Sequence, residues 1–398
     1  MKIVAVICEY NPFHLGHEYQ LGRIREEFGA DSIIVGLMSG SFVQRGEPAI
    51  LDKYARAGAA VGCGCDVIFE LPAPWSMSGA EFFARAGVSL ADSLGCVDIL
   101  AFGSEVGDLG RLSEAADRLD SEFFRSALSA ARARSPEAQT GALRAKVYRE
   151  LYGNADELSG SNDLLALEYL RALKRLGSDI APFAIRRRGA DYNDDGAGLR
   201  GFASATSVRR AVLEGKAYEN MLPPRSYELL RRELEAGRIA RAGNLDCAVS
   251  AFLRLDYRRM RGMMEVSGGI ENRLHMAALA HSDLAGIIEA AAERRYSASR
   301  LRRAVFGSMA GYTMRDCEAA PEYLNLLAAN ERGRRLLARL KKTAKHPILT
   351  KPSDANRLGD SARVQFERSL SADMLWLLAL DNPSERSAKL YAKRAVML

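Results

Sequence analysis

Lys2–His17 reads KIVAVICEYNPFHLGH, and the fold follows from this stretch. Its first part, Lys2–Cys8, is an apolar run of strand length without polar alternation, as expected for a strand covered on both faces. A loop follows, and Leu15–Phe28 then has amphipathic helical spacing. The same alternation continues outward. Ser32–Met38 (SIIVGLM), Val67–Leu71 (VIFEL) and Ile99–Gly103 (ILAFG) are further buried-strand runs, separated by helical segments at Leu51–Cys63 and Gly79–Leu94. Apolar strands alternating with helices predict a doubly wound, Rossmann-like α/β domain with a parallel sheet. Ligands in such sheets sit beyond the carboxyl ends of the strands. The loops of interest are therefore Glu9–His17, Ser39–Pro48, Glu70–Ser78 and Gly103–Gly107.

From Asp108 to Arg175 the pattern is helical, closing with a helix over Asp163–Leu176. Ile180–Arg187 reads as one more strand, a Gly/Asp-rich loop fills 189–201, and a helix starts near Ser204. Beyond Pro223–Pro224 strand signals fade, and Leu, Ala and Arg at helical spacing run to Leu398. The expected division is an α/β domain over 1–225 and a basic, mostly α-helical domain over 226–398.

The 398 residues are 48% hydrophobic and 27% charged, a composition that excludes a disordered or fibrous chain. Apolar runs end well short of the roughly 18 residues of a membrane span, so no membrane association is expected. Glu9 directly follows the first apolar run, which argues for a strand over a signal peptide. Six scattered cysteines in a chain of this size point to a reduced, cytoplasmic protein. The net charge of +6 is uneven: residues 1–240 carry about −4 and residues 241–398 about +10. A polyanion partner for the helical part is one reading of that split, and a solvated Arg-rich surface is the other.

Two of the five histidines, His14 and His17, lie three residues apart in the loop after the first strand. Beside a helix N-terminus, where amides are unpaired, such a pair suits a nucleotide phosphate, and Gly16 lets backbone approach it. The pair could instead cap a helix or bind zinc, but Cys63-Gly-Cys65 supplies no matching ligand set. Ser204-Ala-Thr-Ser-Val-Arg209-Arg210 opens another predicted helix. Its hydroxyls and guanidinium groups suit a polyphosphate, or an ordinary N-cap with a solvated basic face. Arg45, Lys53 and Arg56 are additional candidates for the same cleft. Arg332–Lys345 and Arg300–Arg303 are candidates for a nucleic-acid backbone.

H-x-G-H after a first strand, with a distal S-x-T-S-x-R, resembles the HIGH-type nucleotidyltransferase superfamily. EYNPFHLGH (9–17), MSGSFVQRGEPA (38–49), DVIFELP (66–72), FGSE (102–105), SNDLLALEYL (161–170), RRGADYND (187–194) and SATSVRR (204–210) together resemble one member family, the bacterial tRNA(Met) cytidine acetate ligases. The resemblance covers about the first 215 residues.

The resemblance implies a two-step ligase. ATP, accompanied by Mg²⁺, and acetate give acetyl-adenylate, and the acetyl group passes to N4 of the wobble cytidine in the anticodon stem-loop of elongator tRNA(Met). No obligate protein partner is implied. Acetate is already ionised at neutral pH, so the first step needs charge stabilisation and not a base. The resemblance assigns nucleotide binding to Ile7, Cys8, Glu9, Tyr10, Asn11, Pro12, Phe13, His14, Leu15, Gly16, His17, Glu18, Tyr19 and Gln20, with Gly103, Asn162 and Arg187. His14, His17 and Arg209 are the catalytic candidates, and no protein-held metal is implied. Arg187 is flanked by Arg186 and Arg188. Asn193 stands where the family usually has His, and Asp163 where it often has a second Asn. Two rival readings are an adenylyltransferase for a small cofactor precursor and a non-catalytic, ATP-sensing RNA-binding protein.

Overall fold

The computed structural model describes residues 1–136, 138–187, 202–293, 295–387 and 393–398. Its strands are β1 (Ile3–Cys8), β2 (Ile33–Ser39), β3 (Phe42–Val43), β4 (Glu47–Pro48), β5 (Val67–Leu71), β6 (Ile99–Ser104), β7 (Ala181–Arg186), β8 (Leu324–Ala329), β9 (Ile348–Leu349) and β10 (Val396–Met397). The main sheet has the order β10-β8-β5-β2-β1-β6-β7, with β9 beside β8, while β3 and β4 form a separate hairpin. β5, β2, β1, β6 and β7 are mutually parallel, and β8 joins antiparallel to β5.

The expected α/β architecture is present because the central strands have no polar face. Along β1, Ile3 and Ala5 enter one apolar cluster while Val4, Val6 and Cys8 enter the other. Helix α1 (Leu15–Phe28) and helix α2 (Lys53–Gly62) cover the second face through Leu21, Ile24, Tyr54, Ala57 and Ala60. The first face is covered by α3 (Ala80–Ser93) and by the run α4 (Leu109–Asp120), α5 (Glu122–Arg134), α6 (Thr140–Tyr152) and α7 (Ser161–Leu176). Helix α8 (Ala205–Leu213) then begins one residue after Ser204.

The remainder is helical: α9 (Pro224–Glu235), α10 (Asp246–Leu255), α11 (Ile270–Ala280), α12 (Leu284–Ala291), α13 (Ala298–Ala310), α14 (Met314–Glu318), α15 (Glu331–Thr343) and α16 (Asp360–Leu378). Three strands depart from the helical reading of residues 226–398: β8, LNLLAA, lies wholly buried in the main sheet, and the two-residue β9 and β10 pair with it. Leu and Ala are good helix formers and Asn is depleted in strands, so in β8 sheet burial overrides local propensity.

A buried ion cluster joins the sheet to the helical part. Lys53 Nζ lies 2.8 and 3.0 Å from the two carboxylate oxygens of Glu70 and 2.8 Å from Asp373 Oδ2 on α16. Asn325 of β8 donates to Glu70 Oε2 at 2.6 Å, and Ser41 Oγ donates to Asp373 Oδ1. Burial alone would depress the Lys53 ammonium pKa, but Asp373 and Glu70 hold it well above the usual lysine value. Lys53 is therefore not a cleft residue. Arg56 is not one either: it is buried and donates to the carbonyls of Glu9, Ser39, Gly40 and Leu51. Among the described residues no helix is long and apolar enough to cross a membrane, and all six cysteines are free.

Removing one partner of a buried ion cluster typically costs about 3–5 kcal/mol. Lys53→Met is expected to lower unfolding free energy by that order in denaturant titrations. Because the cluster spans sheet and helices, the whole transition should shift, not one part of it.

Candidate active site

From β1 the chain winds outward through β2 and β5, then returns to place β6 on the other side of β1. The crevice between the carboxyl ends of β1 and β6 is thus a topological switch point. Residues 9–17 and 103–107 meet there.

His14 is the N-cap of α1, and its Nδ1 accepts the Gly16 amide at 3.0 Å. Nδ1 of His17 accepts the His14 amide at 3.2 Å, so the two imidazoles form a reciprocal capping box. Their rings stack with centroids 3.7 Å apart at 28°. A neutral imidazole whose Nδ1 accepts carries its proton on Nε2, so this bonding assigns both rings the Nε2–H form. Burial, and then the charges of Arg187 and Arg209, push the His14 pKa down to about 4. His17 is held well below its usual value by burial, then by His14 and Arg187. Both rings are neutral donors at pH 7. Gly16 is required by the same packing, since a Cβ there would stand 2.9 Å from His14 Cε1.

The distal motif reaches this loop. Ser204 caps α8 by accepting the Ser207 amide at 3.1 Å, and Arg209 on its next turn donates from Nη1 to the Asn11 carbonyl at 2.9 Å. Its Nη2 lies 3.2 Å from Glu47 and 3.3 Å from the Thr206 hydroxyl. Asn11 Oδ1 accepts the Ile50 amide at 2.7 Å, whereas its Nδ2 is buried with no partner. Cys8, Tyr10 and Phe13 pack into the core, Pro12 is buried, and Ile7 lies against Gly87. Glu9 accepts the Gln44 amide at 2.8 Å, and burial raises its pKa. Leu15, Glu18, Tyr19 and Gln20 occupy the first turns of α1.

On the opposite wall, the Arg187 amide bonds the Ser104 carbonyl at 2.9 Å. A Cβ on Gly103 would meet Arg187 Cγ at 3.5 Å, whereas Arg186 packs against Gly107. Of the described Arg186 and Arg187, it is Arg187 whose charge acts on both histidines. Arg188 and Asn193 lie outside the described residues. Asn162, at the start of α7, donates from Nδ2 to Glu105 at 2.5 Å, and Glu105 also accepts the Asp163 amide at 2.8 Å. Asp163 in turn accepts from Ser104 Oγ and from the amides of Glu105 and Val106. Sequence reading missed this clasp between FGSE and SND, although acidic residues next to a strand end and a helix start were a usable signal.

Two clefts flank the loop. One, of about 520 Å³, lies between Tyr19, Arg23 and Glu27 of α1 and the Phe183–Arg187 strand. The other, of about 320 Å³, is bordered by Arg45, Glu47, Thr206, Arg209 and Arg210. Among the described residues no group of three His, Cys, Asp or Glu could hold a metal ion. The arrangement brings two imidazole donors and two guanidinium groups to the positive end of the α1 dipole, suited to stabilising phosphate charge.

Residues 1–390 match the family described as HIGH Nucleotidyl Transferase. The chain belongs to the HIGH nucleotidyltransferase family. Within it, the chain is similar to the tRNA(Met) cytidine acetate ligase of Acetivibrio thermocellus, 33% identical over 98% of this chain and 97% of that one. The enzyme of the same name from Syntrophotalea carbinolica is 37% identical over 88% of this chain and 85% of that one. Thermotoga maritima TmcAL bound with alpha-thio ATP superposes with a TM-score of 0.90 at 29% identity, and its apo form with 0.92 at 30%; both cover the full length of each chain. This HIGH nucleotidyltransferase thus shares its whole architecture with those proteins.

The neutral imidazoles carry a pH signature. Unfolded histidine takes up a proton near pH 6.5, whereas folded His14 does so only near 4. Stability from neutral burial is thus fully present above pH 6.5 and is lost as pH falls toward 4. Urea midpoints between pH 7.5 and 5 should fall more steeply for the native chain than for a His14→Gln/His17→Gln variant. Equal slopes would contradict the buried neutral pair.

Proposed function

We propose that the chain is an ATP-dependent ligase that activates acetate as acetyl-adenylate and transfers the acetyl group to N4 of the wobble cytidine of elongator tRNA(Met). The carrying observation is the pair of Nε2–H donors at the switch point, joined by Arg209, in a chain similar end to end to tRNA(Met) cytidine acetate ligases. The α-thio ATP in the similar Thermotoga maritima structure supports ATP as the nucleotide.

In the first step an acetate oxygen attacks the α-phosphorus, forming the mixed anhydride and releasing pyrophosphate. His14 and His17 donate to phosphate oxygens, and Arg209 exchanges its bond to Glu47 for the departing phosphates. The depressed histidine pKa values suit this role, since a weakly basic ring is a donor and not a proton acceptor. Adenosine packs on Gly103, with Asn162 and Arg187 contacting the nucleotide. The unpartnered Asn11 Nδ2 is a further donor in the same loop. Mg²⁺ bound to the ATP phosphates would supply further charge neutralisation there. In the second step the cytidine amino nitrogen attacks the acetyl carbonyl, AMP leaves, and the nitrogen loses its proton. That nitrogen is a poor nucleophile because its lone pair is delocalised into the ring, so an activated acyl donor is required. In this reading residues 1–225 activate acetate, and residues 226–398 supply most of the RNA contacts.

Purified protein should catalyse acetate-dependent ATP–pyrophosphate exchange and form N4-acetylcytidine in unmodified elongator tRNA(Met). His17→Ala and Arg209→Ala should each reduce exchange about 10²–10³-fold. Exchange without acetate dependence would favour a cofactor adenylyltransferase. Absence of exchange would favour a nucleotide-binding protein without catalysis.

A further inference from the structure

The positive charge of the helical part is concentrated on one helix. Residues 331–345, α15 and the two residues after it, contain seven Lys or Arg against one acidic residue, Glu331. Gly333, Leu336 and Leu340 are buried toward the sheet, and Gly333 sits so close that a Cβ would come within 2.1 Å of the Asp66 carbonyl oxygen. Arg334, Arg339, Lys341 and Lys342 are exposed on the other side and form no ion pair among the described residues. On α7, by contrast, cations are neutralised in place. Arg171 pairs with Asp120 and Glu168, Lys174 with Asp117, and Arg175 with Glu81 and Asp120. A helix face that is merely solvated usually intersperses both signs.

The other basic segment is already committed. Arg303 is bound to Glu265 and to the Gln44 carbonyl, Arg302 to Glu47, and Arg300 to Glu265 and Ser267. α15 also lies on the other side of the molecule from the crevice. Arg332 donates to the carbonyls of Ala30 and Ser32, which lead into β2, and Asn330 binds Asp66, which leads into β5. At the far end, Thr343 Oγ1 donates to Leu94 and the Lys345 amide to Ser93, both preceding β6. α15 thus borders the amino ends of the strands, whereas His14, His17 and Gly103 sit at the carboxyl ends. The strands between them span about 20 Å.

We infer that the outer face of α15 is a second RNA-binding surface, which takes backbone phosphates of a base-paired segment of the substrate remote from the reacting cytidine. This rests on RNA being the acetyl acceptor. The unpaired cations from Arg334 to Lys342 form a stripe about 12 Å long. Such a stripe gains affinity by releasing counterions from phosphates and carries no base choice. Double-helical RNA is gripped through backbone and shape, which is what an aligned set of Arg and Lys offers. A hairpin loop seated at the carboxyl-end crevice does not reach α15, but the stem bearing it does when it lies along the flank of the protein.

The test is a triple variant, Arg334→Gln/Arg339→Gln/Lys342→Gln, compared with the native chain. Binding of full-length elongator tRNA(Met) and of a single-stranded oligonucleotide with the anticodon-loop sequence is measured over a range of salt, alongside acetate-dependent pyrophosphate exchange. Exchange should be unchanged. Full-length tRNA should bind at least tenfold more weakly near 0.1 M salt, with a log–log salt slope shallower by about 2–3, while oligonucleotide affinity stays the same. If the variant acetylates and binds full-length tRNA like the native chain, this inference fails and the ligase reading stands. Equal weakening of tRNA and oligonucleotide would place the contact at the crevice and also overturn it. If the native chain neither binds nor acetylates tRNA, the ligase reading itself falls, and an acidic protein becomes the better partner for α15.

Discussion

A single buried ammonium, Lys53, organises the join between the sheet and the helices. It needs two carboxylates to remain charged, and they come from β5 and α16, separated by 303 positions in sequence (70 and 373). Asn325 of β8 satisfies Glu70 further, so an element with weak strand propensity is fixed in the sheet. Three residues beyond Asp373 on the same helix, Trp376 donates to the Ala49 carbonyl at 2.6 Å. The next residue, Ile50, holds Asn11 in the histidine loop, and Glu47 just before them meets Arg209. The ion cluster thus reaches the site through a few direct contacts, each with one end in residues 41–53.

At the site, two ring nitrogens are given up to backbone amides, which leaves the two Nε2–H groups as the remaining donors. This is an economical way to meet the unpaired amides of a helix start. It also accounts for Gly16, which lacks a Cβ because the His14 ring fills that space. The acceptor tautomer, the low basicity and the two nearby guanidinium groups all favour holding an anion over moving a proton.

Much of this was legible in the sequence. The apolar runs of β1, β2, β5 and β6 have no polar face, and α1 begins at the expected Leu15. HLGH and SATSVRR, nearly two hundred residues apart, meet through Arg209 and Asn11. Three features were not legible. β8 is built of Leu, Asn and Ala and resembles its helical surroundings. Lys53 and Arg56 looked like cleft cations, yet both are buried, because charge in a sequence does not reveal whether a carboxylate or carbonyl awaits it. The Glu105–Asn162–Asp163 clasp pairs residues 57 and 58 positions apart, which no local periodicity encodes. The basic run at 332–345 was visible as charge, but its edge of the sheet depends on the direction of β8.

The most direct measurement is ¹⁵N NMR of the imidazoles at pH 7, with and without ATP. The structure predicts neutral His14 and His17 with protonated Nε2 and accepting Nδ1 in the free protein, and a marked shift of both Nε2–H signals at ATP saturation. Cationic rings in the free protein, or Nε2–H signals that stay in place when ATP is bound, would contradict the account.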